Sequence, residues 1–115
     1  MAAQEGNIMD FAQRLAGSAT VAGMGQKDIM AMSAAMASVG INAEAGGSAM
    51  SKILTKMNDA VKDGGEKLQG FAEASGLSAD EFSKTWEKDP YKAVQLFEQG
   101  LNKQSKAGED RKSVV

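Results

Sequence analysis

Apolar residues return at three- and four-residue intervals along most of this chain, the spacing that lines one face of an α-helix. Ile8, Phe11, Ala12, Leu15 and Ala16 make the first such stripe, with Asp10, Gln13 and Arg14 between them. That helix begins at Asn7 and is expected to fray or end near Ala19, because Gly17 and Gly23 bracket a weak stretch. A second helix is predicted over 26–39, with Ile29, Met32, Met36 and Val39 on one face and Met30, Ala34 and Ala37 widening it. A third runs over 42–62, with Met50, Ile53, Leu54, Met57 and Val61 inward and Lys52, Lys56, Asp59 and Lys62 outward. A short fourth spans 66–75 and carries Leu68, Phe71 and Ala72. Phe82 and Trp86, four apart, mark a fifth, and Ala93, Leu96, Phe97 and Leu101 line a last one.

The residues between these stripes read as helix punctuation. Gly40 is placed to end the second helix in the left-handed conformation, and Asn42 to cap the third, with Glu44 near the positive end of its dipole. Gly64-Gly65 and Gly76 are further stops. Ser78-Ala79-Asp80-Glu81 has the spacing of a capping box, and Asp89-Pro90 opens the last helix with a good cap and a proline at its first position. The expected fold is therefore all-α: a compact bundle of about five to six short helices with glycine-rich breaks. Gly100 is expected near the end of the last helix, and from Asn102 the periodicity gives way to charged and small polar residues. The predicted division is a helical domain over 1–101 and a polar linker over 102–115.

One stretch breaks the helical economy. Gly46, Gly47, Ser48 and Ala49 put four small residues just inside the third helix, where each glycine costs about 1 kcal/mol relative to alanine. Close helix packing at Gly46, Gly47 and Ala49 accounts for that cost, and a groove for a partner helix is the alternative. A phosphate-cradling loop is excluded by spacing, since no Gly-Lys-Ser/Thr follows at the Walker interval and no strand precedes it.

Composition removes most chemistries. There is no histidine and no cysteine, so the commonest metal ligand, general base and thiolate nucleophile are all missing. No metal and no cofactor is expected, and the chain is read as non-enzymatic. The acidic pairs Asp80/Glu81 and Glu109/Asp110 fall in a helix start and a polar tail, where such residues are ordinary. Thirteen basic against fifteen acidic residues leave a formal charge of −2, and Asp59 and Asp63 interrupt the lysines of the third helix. No nucleic-acid partner is expected on that basis, and no membrane partner, because no apolar run approaches the length of a bilayer span. Six residues are aromatic and eight are methionine. Phe82 and Trp86, and the Met32/Met36 stripe, read first as core and second as a possible partner surface.

The stretch Ile41 to Ile53, INAEAGGSAMSKI, resembles the signature of the conserved core of bacteriophage tail tape measure proteins. Upstream, Asp10 to Ala16 and Met30 to Gly40 are similar to the family pattern. Downstream, Leu68 to Ala72, Gly76-Leu77-Ser78, Glu81-Phe82, Asp89-Pro90 and Phe97 to Leu101 follow in family order. The resemblance covers roughly residues 7 to 101, through motifs that are distinctive as an ordered set and weak singly. It implies a piece of a much longer phage or prophage protein, housed in the lumen of the virion's tail tube and made in the host cytoplasm. It implies a structural role in tail assembly and tail length. The partners it implies are the protein itself, tail-tube or tail-tip proteins and assembly chaperones. Two other classes remain open from the residues: a helical adaptor using the Gly46/Gly47 groove, and a domain acting on DNA or membrane during genome ejection.

Overall fold

The computed structural model describes the backbone of residues 2–114 and the side chains of residues 7–103. Among the described residues there are six α-helices and no strand: α1 (Ala2–Val21), α2 (Gln26–Ser38), α3 (Ala43–Asp63), α4 (Glu66–Ala74), α5 (Ala79–Lys88) and α6 (Pro90–Val114). The all-α class expected from the spacing is the one observed. Two compact units divide the chain, Met1–Asp59 and Ala60–Val115, with the division falling inside α3.

In the first unit α1 packs against α2. Phe11, Leu15 and Ala19 on α1 and Met32 and Leu54 on α2 and α3 are almost wholly removed from solvent. Gly40 closes α2 with φ +79°, a conformation that costs other residues a steric clash, and Asn42 then caps α3 by accepting from the Ala45 N–H at 3.1 Å. Val39, placed by its spacing on the buried stripe of α2, instead lies one residue past the helix and is exposed.

The second unit is built on α4, α5 and α6, each of which packs against the other two. The Gly64-Gly65 pair, at φ +73° and +84°, separates α3 from α4. Ser78 caps α5 in the reciprocal manner expected: the Glu81 N–H donates to its hydroxyl and its own N–H donates to the Glu81 carboxylate, both at 3.1 Å. Asp89 alone connects α5 to α6 and accepts from the Lys92 N–H at 3.3 Å.

α1 ends at Val21, close to the expected Ala19, with Gly23 at φ +94° just beyond it, whereas α6 outruns its expected end. Gly100 does not end α6, which continues to Val114. A terminating glycine adopts positive φ, and Gly100 is not among the glycines that do. Leu101, assigned to the buried face of α6, is 45% exposed. Helix thus runs through the proposed boundary at 101/102, and the side chains of 104–115, on which a linker reading depends, lie outside the described residues.

Candidate functional site

The glycine pair singled out from the sequence sits where α3 meets α1. A Cβ built on Gly47 would lie 3.0 Å from both Cβ and Cδ of Arg14, and one on Gly46 would meet the Ile41 side chain and come within 3.2 Å of the Phe11 ring. Gly47 is buried and Gly46 half-buried. The Arg14 guanidinium is drawn along α1 by Asp10, with Nε donating to Oδ1 at 3.2 Å, so the aliphatic stem of the arginine covers Gly47. The notch is filled by the chain's own side chains. Ala49, grouped with the two glycines from sequence, is exposed and lies off this contact, because two positions along a helix turn a side chain away from its neighbour's face.

The contact continues one turn on, in a way the sequence reading missed. Ser18 lies four residues after Arg14 and Ser51 four after Gly47, and their hydroxyls share a hydrogen bond. Thr55, four further along α3, donates its hydroxyl to the Ser51 carbonyl at 3.0 Å and lies 3.4 Å from the Ser18 hydroxyl. Both sides of the contact advance in the same chain direction, so α1 and α3 run parallel. Gly47, Ser51 and Thr55 at four-residue spacing were a readable signal of this small, hydroxyl-bearing stripe.

The aromatic residues assemble in the second unit. Phe82 stacks on Phe71 with ring centroids 6.2 Å apart and on Trp86 at 6.3 Å, and Phe97 meets Phe71 edge-on at 5.5 Å. Phe82 is completely buried, Trp86 nearly so, and Met32 and Met36 of the first unit are buried as well. None of the four residues considered as a partner surface is presented to solvent. Each lies on the inward stripe of its helix, and of the six aromatic residues Phe11, Phe82 and Trp86 are buried in the core.

Among the described glycines the tightest approach is at Gly100, which was expected near a helix end. A Cβ there would overlap the Ala74 carbonyl oxygen and lie 2.7 Å from the Ala74 carbonyl carbon. The obstacle is backbone, which cannot rotate aside as the Arg14 stem can. Beside it Glu73, Ser75, Leu96, Gln99 and Lys103 line a shallow groove of about 240 Å³. That is smaller than the range of ~300–1,000 Å³ usual for small-molecule sites.

Among the described residues no cluster of carboxylates is arranged to hold a metal ion, and every buried side-chain nitrogen or oxygen has a hydrogen-bond partner. No described helix is long and apolar enough to cross a membrane. No protein-family model, curated protein or solved structure matches the chain.

Proposed function

We propose that this chain is a structural module of a bacteriophage tail tape measure protein, supporting tail assembly and tail-length determination through protein–protein contacts. The observation that carries the reading is the ordered set of motifs from Asp10 to Leu101, centred on INAEAGGSAMSKI. The all-α architecture is compatible with it. So is the use of the motif's small residues at a helix–helix contact, which gives Gly46 and Gly47 a packing role and no chemical one.

Within such a protein this piece is a folded module along the ruler and not the ruler itself. Length is measured by extended helix at about 1.5 Å per residue, and a chain whose helices are interrupted at Gly40, Gly64-Gly65 and Gly76 is not one continuous helix that could measure it. The test is an in-frame deletion of this segment from the parent phage or prophage gene, with tails counted and measured by electron microscopy. Missing or malformed tails, together with recovery of tail-tube or tail-tip proteins on the tagged segment, are the expected result. Normal tails of unchanged length would overturn the reading.

A further inference from the structure

All eight methionines of the chain fall within its first 57 residues, while five of its six aromatic residues fall beyond residue 70. This partition coincides with the two compact units, 1–59 and 60–115. In the first, Met24, Met32, Met36, Met50 and Met57 are buried and are among the largest side chains of that core. The second has no methionine and is filled instead by Phe82, Trp86, Leu68 and Val94. Met9, on the surface of the first unit, is 52% exposed.

We infer that the first unit is a redox-labile half of the molecule and the second a redox-inert one, so that peroxide selectively loosens residues 1–59. The chemistry is oxygen transfer from hydrogen peroxide to a thioether. The O–O bond breaks, an S–O bond forms, the sulfur loses two electrons and water leaves. Each sulfoxide places a strongly polar, hydrogen-bond-accepting group where the core offers no free donor, and methionine sulfoxide in a core is disruptive for that reason. Local opening admits the oxidant, and each buried sulfur oxidised raises the population of the open form, so the loss is self-reinforcing. Sulfoxide reductases reverse the modification, which makes the loosening reversible in a reducing cell. The aromatic unit has no sulfur to oxidise and holds its packing throughout.

The experiment treats the full chain with hydrogen peroxide in native buffer. It follows helicity by circular dichroism, Trp86 by its fluorescence emission, and each methionine by peptide mass spectrometry. Met9 should oxidise first. As the five buried methionines follow, roughly half of the helical signal should be lost, because α1, α2 and most of α3 belong to the first unit. Trp86 emission should keep its wavelength. A variant with Met24, Met32, Met36, Met50 and Met57 each changed to Leu should keep its helicity in peroxide, since this exchange nearly conserves volume. Three results would overturn the inference: a red shift of Trp86 in step with the helix loss, core sulfoxides with undiminished helicity, or buried methionines that stay reduced after Met9 is consumed. The wild-type titration decides the matter even where the five-fold variant does not fold.

Discussion

At the scale of single residues, the glycines of this chain separate by what surrounds them. Gly70 lies inside α4 and Gly17 inside α1 with open space where a Cβ would go, so each only weakens its helix. Gly70→Ala should raise the denaturation midpoint by an increment of about 0.5–1 kcal/mol. Gly100→Ala should lower stability by about 1–3 kcal/mol or more, because its methyl group would meet the Ala74 backbone. Gly47→Leu should also destabilise, by about 1–3 kcal/mol, as the added side chain displaces Arg14 and presses on α1. Urea denaturation of the three variants beside the parent chain checks all of these signs, and a Gly100→Ala variant as stable as the parent would mean that α4 and α6 sit further apart. The Gly46/Gly47 approach was legible because two adjacent glycines in a helical pattern carry an unexplained cost. Gly100 was not, because a lone glycine late in a helix has the same sequence signature whether it ends the helix or admits a neighbour. Only its φ separates the two.

Individual helices were the most legible level, since their caps are local chemistry. Asn42, Ser78 and Asp89 each accept from a backbone N–H three residues on. What local reading overestimated was the power of one glycine to stop a helix, as α6 shows by running through Gly100. Continuation is favoured where the next residues keep helical φ and ψ and nothing forbids it, and after Gly100 come Leu101, Asn102 and Lys103 with no proline. The α5 cap yields a pH prediction. Hydrogen bonding holds the Glu81 carboxyl below its ordinary value, first through the Ser78 N–H and then through the Ser78 hydroxyl, with slight burial and the Asp80 charge opposing. A carboxyl whose folded pKa is depressed adds stability above its unfolded pKa and loses it as pH falls through the folded value. Glu81→Gln should therefore reduce the dependence of the denaturation midpoint on pH across the acidic range, and an unchanged pH profile would show that the carboxylate half of the box contributes nothing. Ser78→Ala should cost about 1 kcal/mol at neutral pH by removing the acceptor for the Glu81 N–H.

For the molecule as a whole, the all-α class could be read from periodicity alone, but its division into two units could not. Nothing in a hydrophobic pattern says which stripes share a core, and the boundary falls inside the unbroken helix α3. Phe82, Trp86, Met32 and Met36 read first as core and are buried, but the partner-surface alternative could not be closed from the pattern. An apolar residue on a stripe looks alike whether it meets its own chain or a partner. The connections between helices carry a different message. One residue joins α5 to α6, two join α3 to α4, and none of the others exceeds four. Three pairs of helices adjacent in sequence are packed together, α1 with α2, α4 with α5 and α5 with α6. Little chain entropy is spent in bringing such partners together, and helical folds dominated by local contacts fold on the order of microseconds to milliseconds. Stopped-flow refolding followed by Trp86 should be complete within milliseconds as a single exponential, and a phase of seconds would contradict this. Translation proceeds at only about 5–20 residues per second. The α1–α2 and α4–α5 pairs can therefore each cover their apolar stripes while the ribosome is still adding the residues that follow.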